Sequence, residues 1–148
     1  MKPMFVAVPF IILGLIVTGE CRADTEHAGV VKTVEGAAMI VRSGSPTAAT
    51  VNAKVNMGDH VQTGSDGKIG MIFQDDTVVS MGPNSKIVIE DYLFEPAEKK
   101  LSFVTRMFKG TVSFLSGQIT KLAPEGARVE TPSATIGMRG THVLVQVD

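Results

Sequence analysis

The chain has 148 residues, 15 Asp/Glu against 14 Lys/Arg, 15 Gly, a single Cys and no Trp, a length that makes one domain with one core rather than a multidomain enzyme. The near-neutral balance, with a pI of about 6.3, carries no electrostatic footprint for nucleic acid, which needs clustered Lys/Arg, so no nucleic-acid partner is expected. One Cys excludes a disulfide framework and zinc sites built on paired cysteines.

Lys2 supplies a positive start, and Met4 to Val17 is apolar apart from Pro9 and Gly14. This is the pattern of a secretory signal peptide. The apolar run is shorter than the roughly 20 residues that cross a hydrocarbon core, so no stable membrane span is expected in the mature chain. Cys21-Arg22-Ala23 sets small residues three and one before Asp24. Cleavage is therefore expected between Ala23 and Asp24, dividing the chain into a signal peptide over 1–23 and a single domain over 24–148. A lipidation site at Cys21 competes, but Glu20 stands where a small residue is wanted. Cleavage after Ala23 removes the only thiol, which suits an oxidising compartment: the periplasm or the exterior.

The 125 residues from Asp24 hold 35 β-branched residues against 5 Leu, and 13 Gly that punctuate short runs. β-branched side chains suit a pleated surface and lose rotamer freedom in helices, so an all-β domain of many short strands is expected, sandwich-like or solenoid-like. In chain order, strands are expected over Val30 to Glu35, Ala38 to Arg42 and His60 to Gln62, with a polar loop over Ser43 to Thr50. Lys68 to Phe73 alternates Ile69, Met71 and Phe73 on one face; Thr77 to Met81 follows the Gln74-Asp75-Asp76 turn, and Lys86 to Leu93 follows Gly82-Pro83-Asn84-Ser85. Both connections have hairpin length. Leu101 to Phe108 sets Leu101, Phe103, Thr105 and Met107 on one side. Val112 to Ala123 fits either a short helix or a strand and bend, because Val112, Leu115, Ile119 and Leu122 approximate helical spacing while Gly117 interrupts it. Thr141 to Val147 sets Val143, Val145 and Val147 opposite His142 and Gln146.

Three segments carry a resemblance. They are Val55 to Gly67, with Gly58-Asp59, Thr63-Gly64 and Gly67; Met81 to Ile87, with Gly82 and Ser85; and Thr131 to Thr141, with Thr131-Pro132, Ala134, Gly137 and Arg139-Gly140-Thr141. In order and spacing they resemble the FecR domain, an extracytoplasmic module, over roughly Gly29 to Val147. The resemblance implies an all-β module whose motif residues are mainly structural. In iron-responsive systems such modules sit on a membrane-spanning anti-sigma regulator that reads an outer-membrane transporter. This chain is expected to lack a cytoplasmic segment before its apolar stretch and a second span, and so to resemble the stand-alone exported members. Asp75-Asp76-Thr77 stands where the family usually has Asp-Gly-Thr, and Met138 where an aliphatic β-branched residue is usual. Asp tolerates the left-handed backbone that Gly would supply, so the fold expectation is unaffected.

The carboxylates Asp66, Asp75 and Asp76 read as turn residues whose side chains bond nearby backbone amides. His27, His60 and His142 show no ligand spacing, so no metal or other cofactor is expected. No nucleophile elbow surrounds Ser116, and no catalytic residues are assigned. Arg139, flanked by glycines, is the most individual residue. It is expected to be tied internally to carbonyls or an acid, the other reading being a guanidinium offered to a partner's carboxylate or phosphate. The functional expectation is an exported, non-enzymatic binding or signalling-accessory module meeting a cell-envelope protein or glycan. The alternatives are a structural or assembly component of the envelope and, last, a periplasmic hydrolase.

Overall fold

The computed structural model describes residues 27–139 and 142–148. The expected signal peptide, its cleavage site at Ala23 and Asp24, and motif residues Gly140 and Thr141 lie outside them. Within them the β-branched runs form strands β1 (Gly29–Glu35), β2 (Ala38–Arg42), β3 (Ser45–Ala48), β4 (Lys54–Val55), β5 (His60–Thr63), β6 (Lys68–Phe73), β7 (Val78–Met81), β8 (Lys86–Glu95) and β9 (Lys100–Leu115). A five-residue helix, α1 (Gln118–Leu122), precedes β10 (Ala127–Glu130), β11 (Thr135–Gly137) and β12 (His142–Val147). The domain is all-β, as the composition predicts, and no helix among the described residues is long and apolar enough to cross a membrane.

The strands form one hydrogen-bonded sheet in the order β3-β2-β5-β8-β9-β7-β6-β1-β4. β9 is the hinge of the design. Its first half pairs with β8 and, in parallel, with β10, whereas its second half pairs antiparallel with β7 and β12. The sheet therefore curls over on itself like a half-barrel, giving two facing layers. Alternation along each strand sends one face inward. Val31, Ile69, Met71, Phe73, Val79 and Phe114 meet Val61, Ile87, Ile89, Phe103 and Met107 in one buried cluster. Across the layers Phe73 of β6 meets Phe103 of β9 edge-on, with ring centroids 4.9 Å apart.

The stretch that fitted both helix and strand is both in turn. Val112 to Leu115 completes β9, and Gly117 caps α1. A Cβ on Gly117 would overlap the Asp75 carbonyl and the Thr77 amide, so glycine lets the chain turn against the β6–β7 connection. Asp76 takes the left-handed conformation expected of it, with φ 69°.

Three expectations need correction. The loop over Ser43 to Thr50 contains β3: Ser43 and Gly44, both with positive φ, form a two-residue hairpin turn that sets Arg42 opposite Ser45. Pro46 is tolerated because β3 has no neighbour on its outer side among the described residues. Second, Gly82 to Ser85 makes no hairpin, since β7 pairs with β6 and β9 while β8 pairs with β5 and β9; it carries the chain from one layer to the other. Third, β4, β10 and β11 form where no strand is expected, being too short to establish a period of two.

Candidate functional site

The motif residues assemble into three buried polar knots, each closing a turn onto distant backbone. In the first, Asp59 at the entrance to β5 is 1% exposed. Arg42 of β2 grips it with both ends of its fork, Nε to Oδ1 at 2.9 Å and Nη2 to Oδ2 at 2.7 Å, and the Asn56 amide donates to Oδ2 at 2.8 Å. The bonds to Asp59 raise the Arg42 pKa above its ordinary value, against the smaller opposing effect of burial. Arg42 Nη2 also donates to the Lys54 carbonyl at 3.1 Å, tying β2 to β4 in the other layer.

The second knot is neutral. Thr63 Oγ1 accepts from the Ser85 amide at 2.9 Å and donates to the Gly82 carbonyl at 2.7 Å. Ser85 Oγ accepts from the Thr111 amide at 3.0 Å. Gly64 donates its amide to Ala37 O at 2.9 Å, and Gly67 donates its own to Gly64 O at 3.0 Å. A side chain on Gly67 would collide with that Ala37 carbonyl. Gly58, with φ +88° and open space at its Cβ position, is required for its backbone conformation.

The third knot surrounds Asp75, which is fully buried. Its carboxylate accepts from Thr77 Oγ1 at 2.7 Å, Tyr92 OH at 3.1 Å, the Ile119 amide at 3.2 Å and the Thr77 amide at 3.3 Å. The Asx-turn reading of Asp75 is correct but small, because the same carboxylate also fastens α1 and β8 to the β6–β7 connection. No cation among the described residues pairs with it. Tyr92 is pushed well above the ordinary tyrosine range, first by burial and next by the Asp75 charge.

Arg139 does not form the expected internal tie. It is exposed, and no hydrogen bond or ion pair joins it to another described residue. The buried acid that most needs a guanidinium is served by Arg42 instead. Of the other third-segment residues, Thr131 and Ala134 close a small turn, with Thr131 Oγ1 accepting from the Ala134 amide at 3.1 Å, while Pro132 and Gly137 are exposed. Met138 is 1% exposed, so it supplies core volume where a branched residue is usual. At the end of β10 Glu130 accepts from Arg128 and Arg106, at 3.1 and 3.2 Å, which holds its carboxyl below the ordinary range. Among the described residues no three His, Cys, Asp or Glu gather as metal ligands.

The geometry also opens a place that motif reasoning missed. β3 and β4 are the two ends of the strand path and do not pair with each other. Between them lies a cleft of about 620 Å³ lined by Arg42, Lys54, Ser43, Ser45 and Thr47 over Ile40. The register sets Arg42 opposite Ser45 and Ile40 opposite Thr47, so these four share one face of the β2–β3 hairpin. A second groove of about 560 Å³, bounded by Met39, Pro46, Ala48, Gln62 and Gly64, carries no charged residue. The only sequence signal for the charged cleft is the alternation Arg42, Ser45, Thr47, legible once the two-residue turn is recognised.

Among known proteins, the family model described as FecR protein matches residues 59–148. No curated protein and no solved structure matched the chain.

Proposed function

The chain belongs to the FecR family, and from that premise we propose that it is an exported, non-enzymatic binding or signalling-accessory module of the cell envelope, located in the periplasm or secreted. The family match over residues 59–148 carries the reading. The buried knots support it, because they consume Asp59, Asp75, Thr63 and Ser85 in holding turns and leave a rigid scaffold with loops and a cleft at its surface. Its partner is an envelope protein or glycan. Fractionation of intact cells, with mass analysis and a photo-crosslinker in place of Arg139, tests the reading. The expected result is a species beginning at Asp24 outside the cytosol, with an adduct to an envelope component. Unprocessed protein in the cytosol overturns it.

One observation favours a second reading, an assembly component of the envelope. Among the described residues β12 pairs only with β9, its six residues carry no Asp, Glu, Lys or Arg, and Leu144 is 67% exposed. Such an edge lacks the charges, prolines and bulges that blunt strand pairing. Sedimentation showing a monomer at all concentrations removes this reading.

A further inference from the structure

We propose that the cleft between β2–β3 and β4 binds the acidic group of a sugar acid, a carboxylate or phosphate carried on a small polar ring. The inference deepens the reading of the chain as a binding module by naming a ligand class, and it does not depend on the compartment. Two cationic side chains line the cleft, and no carboxylate does. Asp59 lies behind Arg42 and is 1% exposed. It engages Nε and Nη2, while Nη1 has no acceptor among the described residues.

The guanidinium is thereby held in one orientation before any ligand arrives. That removes much of the ordering cost that weakens surface arginines. Lys54 lines the same cleft, and its carbonyl accepts from Arg42 Nη2, so the guanidinium is tied to the backbone that carries the second cation. No acceptor among the described residues engages its ammonium.

The remaining lining defines the rest of the ligand. Ser43, Ser45 and Thr47 present hydroxyls with no partner among the described residues, and each both donates and accepts, as sugar hydroxyls do. Ile40 and Ala53 form an apolar floor on which the face of a ring can lie. The volume of about 620 Å³ falls within the range of small-molecule sites. An inorganic anion would use the cations and leave the floor bare. A neutral sugar would use the floor and leave the Lys54 ammonium and the outward Nη1 of Arg42 unanswered. The sugar acid answers both.

Backbone amide resonances of the purified protein, followed by NMR during titration with galacturonate, galactose and inorganic phosphate at low ionic strength, test this. Galacturonate is expected to move the amides of residues 43–45, 47 and 54 with saturation. Galactose is expected to leave them unmoved, and phosphate to bind more weakly. Arg42→Ala is unsuitable as the sole variant because it also unties Asp59. Lys54→Gln, at an exposed site, is expected to melt like the parent while weakening galacturonate roughly tenfold, the worth of one charge-assisted contact. The proposal is overturned if galactose or phosphate binds as well as galacturonate, if the shifts fall elsewhere, or if Lys54→Gln binds unchanged. Export and cross-linking in cells stand or fall separately from these results.

Discussion

Asp59 and Asp75 are carboxylates almost wholly removed from water, and each keeps its place by a different device. Asp59 has a guanidinium fork, so removing Arg42 strands a buried charge. Because Arg42 itself is 49% exposed and water can reach the vacated side, Arg42→Ala is expected to cost about 2 to 4 kcal/mol in urea unfolding rather than the most a fully buried pair can cost. Lysine should restore little, since an ammonium cannot offer two parallel donors to the two oxygens. Arg139→Ala is the counterpart: an exposed side chain without a partner among the described residues should change stability by less than about 0.5 kcal/mol. A loss comparable with that of Arg42→Ala would show that Arg139 is a structural tie after all. Among the described residues Asp75 is held by neutral donors alone. Asp75→Asn turns one accepting oxygen into a donor facing other donors, so a loss of about 2 to 4 kcal/mol is expected by the same measurement.

At the scale of elements, the decisive feature is the change of layer within β9, located at Gly110. Its φ is +97°, and a Cβ there would overlap Ser85 Oγ and Cα in the connection that itself crosses between layers. Two crossings of the chain thus nest against each other, locked by the Thr111 amide donating to Ser85 Oγ at 3.0 Å. Gly110→Ala forces a left-handed backbone on a residue with a side chain and pushes Ser85 away. It should destabilise by at least about 2 kcal/mol, read from the urea midpoint. Gly44→Ala is the control: φ is +80° but nothing lies within 4 Å of its Cβ position, so only the backbone cost of about 1 to 2 kcal/mol should appear.

At the scale of the whole molecule, stability is tied to pH through Tyr92, the only tyrosine in a chain without tryptophan. Burial and the Asp75 charge raise its pKa, so the fold favours the neutral phenol. The unfolded chain releases that proton near the ordinary value of about 10. The stability contributed by Tyr92 is therefore fully present below about pH 10 and is lost as pH rises from there toward the folded value. An absorbance titration of the tyrosinate band reads this one residue. Ionisation is expected only above the ordinary range and together with loss of β circular dichroism, and Tyr92→Phe should remove this part of the alkaline loss. A simple titration near pH 10 with the fold intact would refute the coupling of Tyr92 to the Asp75 knot.

Local patterns alone determined the class of this protein. Alternation of β-branched residues specifies strands because period two places one face inward whatever the neighbours are, and β2 and β6 were legible to the residue for that reason. The FecR motifs were legible because turns need particular residues at particular φ values, and the turn glycines and Asp75 act within a few residues of themselves. Tertiary structure decided everything that joins distant segments. Nothing local distinguishes Arg42 from Arg139, yet one meets Asp59 across 17 residues and the other meets solvent. Gly82 to Ser85 has the length of a hairpin, but its ends belong to different layers because β9 offers a pairing edge to each. The charged cleft arises where the first and last strands of the path fail to close, a consequence of how far the sheet curls and of no single segment.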